Sequence, residues 1–243
     1  MSFKTEMHCH SATVSNCASI TPEEIVEKYL ACGYTTVVLA NHFSRTTFDP
    51  TRRYKGSEDW QEKVDYYLNG YYALKEAARG KLHILLGCEL SIDSVAADFL
   101  IYGITEKFLR ENEDLMQIRK VKEMSKRVRE AGFLLYQAHP FRNNMAISNP
   151  SYLDGIEVYN AHPRHDSRND FAALWAKRFQ LGEISGSDVH DAPDEAGGGI
   201  LTDTPITSMS QLLETLRAGT YTLLRDGNPG DGTLQNPKTQ AQK

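Results

Sequence analysis

Two histidines stand two residues apart in the run Glu6-Met7-His8-Cys9-His10-Ser11, near the start of the chain. Residues 3–10 mix apolar and polar types without Pro or Gly and give way to a polar, turn-like stretch, which predicts a strand ending in the histidines. Side chains along a strand alternate faces, so His8 and His10 point the same way. Two imidazoles aimed into one space repel as cations but sit well as neutral ligands of a metal ion. A solvated strand end is the commoner account of one such pair taken alone, so the weight falls on what the rest of the chain adds. Asn41-His42, Glu89, Asp98, His139-Pro140 and Asp188-Val189-His190 each stand at or beside the end of an apolar run. Singly, each reads as an ordinary surface group. Eight imidazoles and carboxylates (His8, His10, His42, Glu89, Asp98, His139, Asp188 and His190) crowded at one mouth without a cation would be strongly destabilising. They exceed the three or four ligands of one catalytic zinc, and they suffice for two or three ions if a carboxylate bridges. Glu89 is the candidate bridge. Nitrogen and oxygen ligands without thiolate favour zinc, manganese or iron over magnesium or calcium. Cys9, between the two histidines, faces the other way and is expected in the core.

Short strands have to hold these residues. Thr21 as N-cap, Pro22 behind it and the acids Glu23 and Glu24 open a helix over residues 23–32, which stops at Gly33. The β-branched run 35–40 predicts a strand buried on both faces, ending at Asn41-His42. A polar loop over 43–60 carries three arginines, and a Tyr-rich helix over 58–79 follows, closed by Gly80. Strands are expected at 84–89, 99–103, 133–138, 155–160, 183–187 and 221–224, and helices at 111–131, 170–179 and 211–217. His83, at the start of its strand, stands at the wrong end for the site. Strand and helix alternate about seven times, which argues for a parallel sheet, closed into a barrel or doubly wound. Ligands at the ends of at least five strands suit the catalytic face of a barrel.

A chain of 243 residues with 40% apolar and 24% charged residues has enough material for one large globular domain. No apolar run approaches the roughly 18 residues that cross a bilayer, and the N-terminus lacks the apolar core of a secretion signal, so the cytoplasm is the expected compartment. Cys9, Cys17, Cys32 and Cys88 form no zinc-finger spacing and are expected as free thiols. The net charge of −5 gives no general attraction for nucleic acid or membrane; an anionic substrate needs a local positive site. Gly, Asn, Asp and Gln dominate from 226 to 243, where a disordered tail is expected.

The order His-x-His-Ser, Asn-His, Glu at a strand end, His-Pro and Ser-Asp-x-His resembles the PHP (polymerase and histidinol phosphatase) family from about Glu6 to His190. The resemblance implies a single-domain, α/β, distorted (β/α)7 TIM-like barrel over residues 1–225, a site for two to three divalent ions, and phosphoester hydrolysis. By position, His8, His10, Glu89 and Asp188 would hold one ion, Glu89, His139 and Asp98 a second, and His42 and His190 a third. Glu89, Asp188 and His190 would be the catalytic groups. The family usually has His where Asp98 stands, often Asp or His where Asn16 stands, and commonly Asp where Asn41 stands. A neutral amide is a poor ligand, so Asn16 puts the third ion in question. The implied reaction is attack of an activated water on a small phosphate ester, a phosphomonoester or nucleotide-type substrate. Arg142 is a candidate clamp for a phosphoryl oxygen, with Arg164 and Arg168 as further candidates. His162 and His165 are candidates for outer support or for the leaving-group acid. Two other readings stand beside this one: an amidohydrolase-type barrel, which also begins with His-x-His, and a metal-binding barrel without catalysis.

Overall fold

The helix start read at Thr21 is built as a reciprocal pair. The Thr21 hydroxyl accepts the Glu24 N–H, and the Glu24 carboxylate accepts the Thr21 N–H. The computed structural model describes residues 2–229. In chain order, β1 (Phe3–Cys9), α1 (Pro22–Ala31), β2 (Tyr34–Leu39), the two-residue β3 (His42–Phe43), α2 (Trp60–Ala78), β4 (His83–Ile92) and β5 (Ala97–Tyr102) form the first half. The second half is α3 (Glu106–Glu111), α4 (Val121–Glu130), β6 (Leu134–Gln137), β7 (Gly155–Asn160), α5 (Asn169–Phe179), β8 (Gly182–Gly186), β9 (Gly199–Thr202), α6 (Met209–Ala218), β10 (Thr222–Arg225) and β11 (Asn228–Pro229).

One curled sheet runs β11-β10-β9-β1-β2-β4-β5-β6-β7-β8, with β3 also paired to β4. The parallel triplets β1-β2-β4 and β6-β7-β8 are joined through β5, which is antiparallel to both of its neighbours. β9 and β10 add an antiparallel flank beside β1. The fold is therefore mixed α/β in a single domain, and the regular seven-fold strand–helix repeat does not hold. The reason is a short connection. Only residues 93–96 separate β4 from β5, and a parallel crossover needs a dozen residues or more. The segment after β8 returns to β1: the Asp188 N–H donates to the His8 carbonyl at 2.7 Å, and the His10 N–H to the Val189 carbonyl at 3.1 Å. Buried Glu6 straps the same seam, one carboxylate oxygen accepting the N–H of His8 at 2.8 Å and of Ser187 at 2.9 Å.

Two further expectations are corrected. The helix expected over 111–131 starts ten residues late, as α4 at Val121: α3 ends at Glu111, where the Asn112 side chain donates to the Phe108 carbonyl at 2.7 Å, and a short 3-10 turn over Leu115–Gln117 lies between. Residues 226–229, assigned to the tail, form a turn and β11 against β10; residues 230–243 lie outside the described residues. The core lies on both sides of the sheet. Met7, Val38, Phe43, Tyr67, Leu100 and Tyr102 pack in one cluster, and Cys9, Ile25, Tyr29, Val37 and Leu39 in another beneath α1. Among the described residues, no helix is long and apolar enough to cross a membrane.

Candidate metal centre

His8 and His10 leave the end of β1 on one face and are fully buried. Each has its Nδ1 engaged behind it. His8 Nδ1 stands 3.0 Å from Glu157 Oε1, and His10 Nδ1 stands 3.2 Å from the Ser15 hydroxyl, which itself donates to Asn41 Oδ1. Donation from both Nδ1 atoms fixes the tautomers and leaves two Nε2 lone pairs facing each other at 3.0 Å. Into the same space point Glu89 Oε2, 3.4 and 3.3 Å from those nitrogens, and Asp188 Oδ1, 3.4 and 3.2 Å from them. Both oxygens are buried and lack a hydrogen-bond partner. Four lone-pair donors converging away from water fit a divalent cation.

Without a cation, protons and charge separation carry the load. Burial opposes a charge on His8, but Asp188, Glu157 and Glu89 outweigh it and raise its pKa well above the usual value. His10 is pushed down to about 4, by burial first and then by His190 and His42. Burial works to raise both Glu89 and Asp188, yet the surrounding imidazoles hold both carboxyls well below their ordinary range.

Glu89, on β4, reaches in two directions. Its Oε2 lies 2.8 Å from His42 Nδ1 and its Oε1 lies 3.1 Å from His139 Nε2. Asp98 joins Glu89 and His139 in a second ligand group. It does so from the first turn of its strand rather than the last, because antiparallel β5 begins where β4 ends. His10, His42 and His190 form a third group, and His8, His10 and Asp188 are grouped likewise. His190 Nδ1 lies 2.9 Å from the Asp188 carbonyl, which leaves its Nε2 free to bind. His139 and Asp188 both adopt positive φ, +27° and +52°, a backbone cost on the order of 1–3 kcal/mol each that marks over-determined positions.

A cavity of about 300 Å³ opens over this cluster, walled by His42, Asp98, His139, Asp188 and His190 together with Cys17, Arg142, His162, Arg164 and His165. Arg142 Nη2 is tied to Asp188 Oδ2 and Asn160 Oδ1, both at 2.8 Å, while its buried Nε has no partner. Arg164 grips Asp194 and Asp191 at the rim. Arg168 is off the cavity wall, holding the Phe141 carbonyl and the Asn143 side chain. Asn16 turns away: its amide donates to the Thr46 carbonyl at 2.6 Å and accepts the Arg53 N–H at 3.2 Å. Asn41 acts from behind the ligands, its Oδ1 accepting the Ser11 N–H at 2.8 Å. Burial pushes the His162 imidazole down to about 4, against the pull of Asp188.

Sequence reasoning missed Glu157 and Cys17. Glu157 lies on β7 and holds His8 through one oxygen while its other accepts the His139 N–H at 2.9 Å and the Asn160 amide at 2.9 Å. Its only signal was a carboxylate inside an otherwise apolar strand. Gly186 on β8 passes so close that a Cβ there would fall against Glu157 Oε1 and 2.5 Å from the His8 Cβ.

The chain matches the PHP domain family model over residues 6–195. Among solved structures it is similar to a two-domain Bacteroides vulgatus protein described as containing a predicted PHP-like metal-dependent phosphoesterase, with TM-score 0.66 and 14% identity. That likeness covers 94% of this chain and 66% of the other, so the chain spans a little under two thirds of that protein. It is also similar to an amidohydrolase from Chromobacterium violaceum (TM-score 0.56, 16% identity, 91% and 97% covered). A lesion-specific endonuclease from Pyrococcus furiosus gives TM-score 0.60 at 15% identity, with 92% and 58% covered. At these identities the likeness is one of fold. No curated protein sequence matches the chain significantly.

Proposed function

The chain belongs to the PHP domain family, and from that premise we propose that it hydrolyses a small phosphate ester, a phosphomonoester or nucleotide-type substrate, with water activated at a cluster of two to three divalent ions. The observation that carries this reading is the Glu89 carboxylate, buried, with an unpartnered Oε2 toward three imidazoles and its Oε1 toward a fourth. His8, His10 and Asp188 would hold one ion, and Glu89, Asp98 and His139 a second, with Glu89 shared. Divalent ions held there would supply a lowered pKa for bound water and positive charge against the phosphoryl oxygens. Glu157 and Ser15 keep the Nε2 lone pairs of His8 and His10 turned to the ions. Arg142 fixes Asp188 with Nη2 and stands on the cavity wall, where its guanidinium would take a phosphoryl oxygen. Arg164, already tied to carboxylates, gives the rim positive character and serves as a weaker clamp.

Metal-stripped protein, reloaded separately with zinc, manganese or iron and assayed on a phosphomonoester, a phosphodiester and an amide, tests the reading. Ion-dependent phosphoester hydrolysis is expected, with Glu89→Gln losing both ions and turnover. The fold shared with an amidohydrolase favours C–N hydrolysis as the second reading, and activity on the amide alone would select it.

A further inference from the structure

Helix α5 packs on β7 and buries Ala172 and Ala176. At 100° per residue, the opposite face is centred on Leu174 with Phe171 beside it. Leu174 is 65% exposed and Phe171 59%, and Phe179 at the helix end is exposed as well. Three of the five large apolar side chains exposed among the described residues thus belong to this one helix. Scattered singly such residues are ordinary, but gathered on one face they mark a contact surface. The charges on the same face are sorted by position. Asp170 stands in the first turn, and Lys177 and Arg178 stand in the last. All three are exposed, and none is in a salt bridge among the described residues. Asp170 and Arg178 lie about 6 Å to either side of Leu174 along the axis.

We propose that this face pairs with the same face of a second copy of the chain, the two α5 helices running antiparallel about a two-fold axis at Leu174. A face that is acidic at one end and basic at the other is complementary to itself only in that arrangement. A parallel pair would set Asp170 against Asp170 and Lys177 against Lys177, whereas the antiparallel pair sets Asp170 of each copy opposite Lys177 and Arg178 of the other. Leu174 meets its own counterpart at the centre. Residues 230–243 carry a single large apolar side chain, Leu234, and so do not match the face as an occupant. An 11-residue helix is roughly 16 Å long, and a pair of them falls short of the roughly 1,200–2,000 Å² of a standard interface, so the association is weak. Phe141 packs against Phe171 and Trp175 at ring separations of 6.0 and 6.1 Å, and Arg168, next to α5, holds the Phe141 carbonyl. Pairing therefore braces the segment that runs into Arg142. No α5 residue lines the cavity, so both mouths stay open, and the pairing does not depend on the ions.

Sedimentation equilibrium of the full chain tests this between about 5 and 500 µM, the range suited to so small a contact. The apparent mass is expected to rise toward twice that of the monomer. Leu174→Glu should weaken the association at least about tenfold with an unchanged thermal melt, since the side chain it replaces is exposed. The charges supply the decisive arm. Asp170→Lys makes the charges of the face wholly basic, and Lys177→Glu with Arg178→Glu makes them wholly acidic, so neither variant should associate with itself. Mixed one to one, the two should pair with each other, because each copy then meets opposite charge at both ends. These positions are exposed, so the charge variants keep the test open should Leu174→Glu fail to fold. Wild type that stays monomeric across the range would overturn the proposal, as would association that survives Leu174→Glu. Self-association of either charge variant, or a mixture that does not pair, would overturn the antiparallel arrangement.

Discussion

At the scale of single residues, the proposed ion site depends on groups that would themselves touch no ion. Glu157 is 149 positions from His8 in the chain yet sets which nitrogen of that ring is bare. Glu157→Gln can present an amide N–H where the imidazole proton now donates, turning the ring's lone pair the wrong way. The expected result is a folded protein with roughly 10- to 100-fold weaker ion binding, measured by competition with a chromogenic chelator; unchanged affinity would remove Glu157 from its positioning role. The residues that converge here were legible as His, Asp and Glu at the ends of apolar runs, because strand alternation alone aims His8 and His10 together. Glu157 was not legible. A carboxylate within an apolar strand looks the same whether it binds a ligand, supports one or closes a core salt bridge, and only the fold brings β7 behind β1.

Among the elements, the strands were easier to read than their directions. The apolar patterns of β2, β4, β6 and β7 mark strands because period-two or continuous burial is a local property. A strand reads equally well in either direction, so antiparallel β5 was invisible until its four-residue connection to β4 was counted. That connection turns Asp98 into a partner of Glu89. β9 and the two-residue β3 gave too little pattern to be noticed. The loop between β1 and α1 owes its shape to Arg53 rather than to regular structure. Arg53→Ala should therefore cost about 1 kcal/mol, its three carbonyl partners being rehydrated at a partly buried site, or about 2–4 °C in Tm. All three carbonyls converge on one nitrogen, an arrangement that the three donors of a lysine ammonium match, so Arg53→Lys should recover most of the loss. A thermal melt in which Arg53→Lys is as unstable as Arg53→Ala would show that the ammonium does not reach those carbonyls.

For the molecule as a whole, burial away from the ion cluster also makes stability depend on pH. Glu183, at the start of β8 and far along the strand from Asp188, is buried with one oxygen unpartnered. Burial raises its pKa from 4.5 to about 7, against the pull of Arg225 and Lys177. A raised acid favours its neutral form in the native state. Its contribution is therefore whole below about pH 4.5 and is lost as pH rises through about 7. Glu183→Gln, always neutral, should gain Tm relative to the wild type between pH 5 and pH 8, and a Tm difference that stays constant across that range would contradict the assignment. The same closeness that brings the end of β8 back against β1 leaves Gly186 with no space for even one methyl group. A genetic screen for inactive variants should thus return Gly186→Ala alongside changes at the histidines. Its lesion would be an added carbon that levers Glu157 off His8, with every coordinating side chain still present, and normal ion content in that variant would show the backbone can yield.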